Sequence, residues 1–438
     1  MLNLRNIPQL FLKYFVLWFL CFYLNGLQVL ILGIVGQSKL SSNLNLAINF
    51  ISFVFLILIL RRLKHKWVGF SQTDRFFIYF FYLICVFSIL KSINIPLSNL
   101  RSIPRFIGGE FYFLAWITPL FLFLGNTPLI WKIVWNSINN FFLFFLICSP
   151  FLFFVSPFFT NLVLFIPIYL LNWQKLSSKQ RYLVGYAFVA NILFFLVDGQ
   201  RNMVVRFVFY PSVYVILLLF ENKIKKELKP SILFFFIILL SISFYVLSLA
   251  YDGQLKQYFT NPKIVAALTE YERSNFNADS RILVYEDFFQ DFERNGGIII
   301  GRGVLGVTFS EQYINVQNFF LGENKKFENV FNFRIGERTE LEGGYLMYIL
   351  KVGVLGLVCM LFLAFRAIYL AFWWSKNKFV KMMGFIIVEW LISMYPYAIP
   401  QYSFAYILFW MCIGACLSKK MRNLTDNQIQ LLISPIKK

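Results

Sequence analysis

The chain has 438 residues, of which 59% are hydrophobic and only 14% are charged. Its mean hydropathy is +0.66. Soluble globular domains carry about 25% charged residues, so this composition excludes a soluble fold. The formal net charge is +20, and in so apolar a chain a basic excess indicates cytoplasmic loops of a membrane protein rather than nucleic-acid binding.

Apolar segments of about 20 residues predict transmembrane helices. The chain contains about twelve of them, at residues 14–35, 44–60, 76–93, 108–125, 134–155, 160–174, 182–199, 203–220, 231–250, 344–365, 380–396 and 402–418. The first is too long for a signal-peptide core and predicts a retained span. The fourth to sixth can be divided differently, because they contain or adjoin Pro119, Pro128, Pro150, Pro157 and Pro167.

The basic residues predict the orientation. With both termini in the cytoplasm, 24 of the 41 Lys and Arg residues fall in inner loops against four acidic residues, which accounts for the whole surplus. The polar segment 251–342 is then external. The predicted fold is therefore an all-α polytopic membrane protein with one large external (periplasmic) loop. It divides into a membrane bundle over 1–250, the external loop over 251–342 and a second bundle over 343–438.

Two kinds of pattern stand out in the external loop. Apolar spacing predicts helices over Val265 to Glu272 and Ile282 to Phe292. Between residues 296 and 306 the sequence GGIIIGRGVLG predicts a turn punctuated by glycines. The loop contains no histidine or cysteine, and the six cysteines of the chain form no CxxC pair, so neither a metal site nor a cofactor is predicted.

Ionised side chains inside or beside spans are candidates for function, because burying them in a membrane is costly. Arg201 and Arg206 flank the outer end of the seventh span, in LVDGQRNMVVRF. They either face a wet cavity or anchor a turn at the interface. Lys351 and Glu389 lie deeper in the tenth and eleventh spans, where they either pair with each other or have a functional role.

The external loop adds Arg281, Arg302 and, at the mouth of the tenth span, Glu342. Arginines that converge at a membrane surface suit a phosphate or pyrophosphate, because the guanidinium group binds phosphate oxygens bidentately. A nearby carboxylate would be a candidate base for a sugar hydroxyl. The alternative for each arginine is an ordinary solvated or ion-paired residue.

The stretch EGGYLMYILKVGVLGL, which begins at Glu342 and contains Tyr345, Gly353 and Gly356, resembles a segment of the bacterial O-antigen polymerase and ligase superfamily. In that family a His or Glu precedes two small residues, an aromatic residue, a leucine and a pair of glycines. Upstream, SRILVYEDFF and IIIGRGVLG resemble the loop arginine and the G-x-G turn of the family, carried here by Arg281, Gly301 and Gly303. DGQR resembles a further motif, carried by Arg201.

The resemblance implies a metal-independent glycosyltransferase of the bacterial inner membrane that uses undecaprenyl-pyrophosphate-linked oligosaccharides. Its implied catalytic residues are Glu342, Arg201 and Arg281, and its implied substrate-binding residues are Gly301, Gly303 and Tyr345. Arg206 and Arg302 are further candidates for substrate binding, because they could hold the second lipid or an acidic glycan. Membrane lipids, a chain-length regulator and a flippase are the implied partners. The ligases place histidine where this chain has Glu342, which favours a polymerase, and Lys351 replaces an acid common in the family.

Two alternatives to a polymerase remain open. A ligase would transfer the finished glycan to a lipid A core. A polysaccharide flippase also has about twelve spans, but transporters carry inverted repeats and polar residues near the membrane midplane. This chain instead concentrates its polar residues in one external loop.

Overall fold

The computed structural model describes residues 38–62, 67–108, 112–132, 134, 177–179, 181–182, 185–186, 280–310, 336–341, 343–394 and 402–433. These residues are mostly helical. The chain divides into two compact units, one formed by residues 1–147 and 290–438 and the other by residues 148–289. Of the twelve predicted spans, the first lies outside the described residues, and the fifth to ninth lie wholly or almost wholly outside them.

Twelve helices and two short strands have described bounds. They are α1 (Ser38–Arg62), α2 (Gln72–Ser92), α3 (Asn94–Ser98), α4 (Ile103–Gly108), α5 (Phe113–Ile117), α6 (Leu122–Gly125), α7 (Ser280–Asn295), β1 (Thr308–Phe309), β2 (Glu337–Arg338), α8 (Gly344–Trp373), α9 (Lys378–Ser393), α10 (Phe404–Leu417), α11 (Lys419–Asn423) and α12 (Asp426–Ile433). The strands pair antiparallel, with Thr308 opposite Arg338.

Two stretches among the described residues are long and apolar enough to cross a membrane, Gln72–Ser98 and Gly344–Trp373. The first begins with a reciprocal cap: the Ser71 hydroxyl accepts from the Asp74 amide, and the Asp74 carboxylate accepts from the Ser71 amide. Such a capping box satisfies two amides that have no partner within the helix. The apolar helices predicted over 76–93 and 344–365 are therefore present.

The second stretch is longer than the sequence predicts. The prediction ends the helix before Arg366, because an arginine suggests an inner loop, whereas α8 continues to Trp373. Arg366 lies within the helix and forms an ion pair with the buried Asp74 at the start of α2. An arginine paired in this way is tolerated on a helix that is otherwise largely apolar.

The span predicted over 108–125 is not one helix. Residues from Phe113 to Gly125 form α5, a 3₁₀ turn over Thr118–Phe121, and α6. Pro119 is the physical reason, because proline cannot donate the backbone hydrogen bond that a continuing α-helix requires. The last short piece packs closely on α10, where a Cβ atom on Gly125 would lie 1.9 Å from the Met411 carbonyl oxygen.

Aromatic side chains form the centre of the first unit. The hydroxyl groups of Tyr348 on α8 and Tyr406 on α10 hydrogen-bond to each other. Trp116 packs edge-on against Tyr348 at 5.2 Å, and Phe81 stacks on Trp410 at 5.4 Å. These contacts join α2, α5, α8 and α10 into one core, and they hold the first half of α8 in a fixed position.

Candidate functional site

Helix α8 is broken at Gly353, which has φ 76° and ψ 175°. This combination is accessible to glycine and essentially to no other residue. A Cβ atom at this position would lie 2.1 Å from the Ile299 carbonyl oxygen and 2.5 Å from the Gly301 amide nitrogen. Both the backbone conformation and the close approach of another segment therefore require glycine at the break.

The segment that approaches the break is the glycine-rich stretch from residue 296 to residue 306, which we call the glycine loop. The amides of Arg302 and Gly303 donate to the carbonyls of Leu350 and Lys351, at 2.7 and 3.2 Å. Those carbonyls belong to the last turn of the first half of α8, where a broken helix leaves them without helical partners.

The loop also satisfies the other side of the break. The amides of Val354 and Leu355, which begin the second half of α8, donate to the carbonyls of Ile298 and Ile299 at 2.8 and 3.1 Å. Broken helices are tolerated at membrane depth only where neighbouring protein or water satisfies the freed backbone groups. Here the glycine loop provides that partner on both sides.

Helix α2 also contacts the glycine loop and α8 at the break. The Ser88 hydroxyl donates to the Lys351 carbonyl at 2.7 Å, and the Ser92 hydroxyl accepts from the Leu305 amide at 3.0 Å. The Lys91 ammonium group donates to the Gly301 carbonyl at 2.8 Å. Polar side chains one turn apart on α2 thus fix the loop against α8. The sequence signal for these residues is a cluster of Ser and Lys within an apolar span, and none of the three is among the predicted site residues.

Lys351 is completely buried beside the break, and its ammonium group donates to the Gly306 carbonyl at 2.9 Å. Glu340 is close enough to act on it electrostatically. Glu389 is also buried and accepts a hydrogen bond of 2.6 Å from the Ser393 hydroxyl. Lys351 and Glu389 therefore form hydrogen bonds with different partners. These contacts do not show the pairing of Lys351 with Glu389 that the sequence allows.

Arg302 uses all of its donor groups within the protein. Nε and Nη2 donate to the Gly296 carbonyl, Nη2 also donates to the Asp291 carbonyl, and Nη1 donates to the Asp291 carboxylate and the Val307 carbonyl. Its guanidinium group lies 4.0 Å from the centre of the Phe292 ring. These contacts make Arg302 the residue that holds the glycine loop to the end of α7. The substrate contact predicted for it stays a prediction.

We expect Arg302→Lys to lower the free energy of unfolding by about 2 to 3 kcal/mol, because lysine keeps the charge but loses most of these hydrogen bonds. Thermal unfolding of the purified chain in detergent measures the effect. Arg294→Lys is the matched control, since Arg294 is exposed at the end of α7 that Arg302 contacts. Equal stability of the two variants would contradict the structural role of Arg302.

The other predicted site residues are described to different extents. Gly301 and Gly303 lie in the glycine loop, and a Cβ atom on Gly301 would meet the Gly353 amide nitrogen at 2.6 Å. The Tyr345 hydroxyl donates to the Leu391 carbonyl on α9. Arg281 lies in the first turn of α7. Three predicted site residues lie outside the described residues: Glu342, Arg201 and Arg206.

Comparisons with known proteins add no family. No family model, curated protein or solved structure matches this chain. Within the described ranges, no group of three or more His, Cys, Asp or Glu side chains could hold a metal ion.

The described part of the candidate site consists of the glycine loop, the break in α8 and the polar side chains of α2.

Proposed function

We propose that this chain is a membrane glycosyltransferase that polymerises lipid-linked oligosaccharide repeat units. The glycan on one undecaprenyl pyrophosphate is transferred to a sugar hydroxyl of the next lipid-linked unit, at the outer face of the bacterial inner membrane. The product is an O-antigen, a capsule or an exopolysaccharide.

One observation carries the proposal. Two of the segments through which the sequence resembles the polymerase and ligase superfamily, the G-x-G turn and the stretch that begins at Glu342, lie far apart in the chain, yet they interlock in the structure. Gly301 of the G-x-G turn lies directly against the backbone of Lys351 and of Gly353, the first glycine of the later motif. Residues that specify a shared site are expected to meet in this way, whereas two chance matches have no reason to do so.

The proposed chemistry has two requirements. The bond between the anomeric carbon and the pyrophosphate oxygen breaks, and the lipid pyrophosphate leaves with the bonding electrons. Arg201 and Arg281 would stabilise that charge as fixed cations. The acceptor hydroxyl oxygen forms the new bond to the anomeric carbon, and Glu342 would take its proton.

The position of the break along the bundle supports an outer-face site. Gly353 lies about 20 Å along α8 from Arg366, at 1.5 Å per residue. Ser88, which bonds to the residues beside the break, lies about 21 Å along α2 from Asp74. In the proposed orientation the Arg366 and Asp74 pair lies toward the inner side of both helices, so in a hydrocarbon core about 30 Å thick the glycine loop would lie in the outer half.

The proposed orientation gives a labelling prediction. A cysteine substituted for Asn315 is expected to react with a membrane-impermeant thiol reagent added to intact cells, and a cysteine substituted for Asn222 is not. The first position lies in the predicted external loop and the second in a predicted inner loop. The unsubstituted chain sets the background from its native cysteines. Labelling of the inner site alone, or of both sites equally, would contradict the map.

The experiment that tests the function is deletion of the coding region in its own bacterium, followed by analysis of the lipid-linked glycans. Loss of a polymerase leaves glycans of a single repeat unit at the outer face of the membrane. Loss of a ligase leaves long chains on the lipid carrier, and loss of a flippase leaves single units on the inner face. Either of the last two results would contradict the proposed function.

A further inference from the structure

A second polar region lies at the end of the bundle that contains Asp74 and Arg366. Three segments meet there through backbone hydrogen bonds. The Lys419 amide donates to the Gly69 carbonyl at 2.8 Å, and the Lys376 amide donates to the Arg422 carbonyl at 2.9 Å. The turn before α2, the turn after α8 and the start of the C-terminal tail therefore form one connected surface, which we call the basic end.

The basic end carries a strong excess of positive charge. Its described basic residues are Arg75, Arg366, Lys376, Lys378, Lys381, Lys419, Lys420 and Arg422. The acidic residues described in the same segments are Asp74 and Asp426, and each is already engaged. The Asp74 carboxylate pairs with Arg366, and the Asp426 carboxylate accepts from the Lys378 amide at 2.7 Å. Lys376 and Lys419 are exposed, and neither Asp74 nor Asp426 forms an ion pair with them.

Three aromatic side chains stand beside these charges at the end of α8. Tyr369 stacks on Trp373 with ring centroids 5.4 Å apart, and the Trp374 indole nitrogen donates to the Tyr369 hydroxyl at 3.4 Å. Trp373 is 70% exposed and Trp374 is 61% exposed. Exposed tryptophan and tyrosine rings of this kind are typical of the boundary between a membrane and water.

An apolar strip continues from the aromatic group along the same helix. Val354, Val358 and Phe365 are exposed, and they lie on the face that leads to Tyr369 and Trp373. The distance along α8 from Val354, where the strip begins, to Trp373 in the aromatic group is about 28 Å, at 1.5 Å per residue. That length matches a hydrocarbon core of about 30 Å, so the order along the helix is apolar strip, aromatic rings and then basic residues.

From this order we infer that the basic end is a binding surface for the headgroups of anionic phospholipids. A bilayer leaflet presents the same sequence of environments, with acyl chains, an interface and negatively charged phosphates. A soluble phosphate would explain the lysines but not the aromatic rings or the apolar strip beside them. The inference depends on the proposed membrane location and not on the proposed polymerase reaction.

The test uses the full-length chain in phosphatidylcholine vesicles that contain spin-labelled phosphatidylglycerol or spin-labelled phosphatidylcholine as a quencher. The fluorescence of the Trp373→Phe/Trp374→Phe variant is subtracted, so that the difference reports the two exposed tryptophans. We expect half-maximal quenching at a several-fold lower fraction of phosphatidylglycerol than of phosphatidylcholine. High salt should reduce this preference, because it screens exposed charges.

Charge variants identify the residues responsible. Lys376→Gln and Lys419→Gln are each expected to lower the preference for phosphatidylglycerol by about fivefold, which corresponds to the usual contribution of one basic residue near a membrane surface. Arg101→Gln/Arg105→Gln is the matched control, because both arginines are exposed near the opposite end of α2. It should leave the preference unchanged.

Each other outcome overturns the inference. Equal quenching by the two lipids would show that the basic end does not select anionic headgroups. Loss of the preference in inorganic phosphate, but not in sodium chloride of the same ionic strength, would indicate a site for soluble phosphate. Absence of quenching by either lipid would contradict the membrane location itself, and so distinguishes that failure from a failure of lipid selection.

Discussion

Glu342→Gln is expected to lower the rate of glycan polymerisation by about a hundredfold to ten-thousandfold, the usual effect of removing a general base. Glutamine keeps the shape of the side chain but cannot accept the proton of the attacking hydroxyl. Glycan analysis of a deletion strain that expresses the variant should show single repeat units and no polymer. Glu342→His is expected to retain activity under the proposed function, because the ligases that this segment resembles place histidine at the corresponding position.

Glu340→Gln is the matched control for this variant. Glu340 is two residues away, equally acidic and exposed, whereas Leu341 and Gly343, which flank position 342, are buried at the start of α8. If Glu340→Gln is inactive and Glu342→Gln is active, the alignment of the motif is wrong by two residues. Normal polymer from Glu342→Gln would mean that the proton leaves by another route and that the arginines alone account for catalysis.

Gly353→Ala is expected to lower the free energy of unfolding by about 3 kcal/mol or more. One contribution is the backbone conformation, which costs a non-glycine residue about 1 to 3 kcal/mol. The other is steric, because the new methyl group would overlap the Ile299 carbonyl and force the glycine loop out of the break. Thermal unfolding in detergent measures the loss of stability, and the same variant should lose polymer.

Gly296→Ala separates these two contributions. Gly296 also has a positive φ, of 68°, but a Cβ atom there would meet nothing within 4 Å. We therefore expect a loss of only about 1 to 2 kcal/mol, which is the cost of the left-handed conformation alone. If both variants lose the same stability, the close contact between the loop and α8 does not contribute.

The location of the apolar helices could be predicted from the sequence, and their internal form could not. Composition and run length are local properties, so they identified the segments that became α2, α8, α9 and α10. The apolar spacing over Ile282 to Phe292 likewise predicted a helix that is confirmed as α7. The 3₁₀ turn within the span predicted over 108–125 could not be located in this way, because Pro119 interrupts hydrogen bonding within a uniformly apolar run.

Arg302 shows where prediction of the site stops. The sequence identified an arginine between two glycines in a predicted external loop, which suits either phosphate binding or an internal ion pair. Only the folded chain places Asp291 against its guanidinium group and three carbonyl groups around it. Those partners come from the end of a helix and from the loop itself, and no periodic pattern in the sequence specifies that they converge.

The sequence by itself determined that the chain is apolar, helical and strongly basic, because burial and charge distribution depend on composition and on spacing along one segment. The tertiary structure alone decided that α8 breaks at Gly353. It also decided that the glycine loop, which lies about 50 residues earlier in the sequence, fills the gap. Glycine near the middle of an apolar helix only lowers helix stability by about 1 kcal/mol. A break forms there because the carbonyls and amides of Ile298, Ile299, Arg302 and Gly303 replace the lost helical hydrogen bonds, and such replacement depends on contacts between distant parts of the chain.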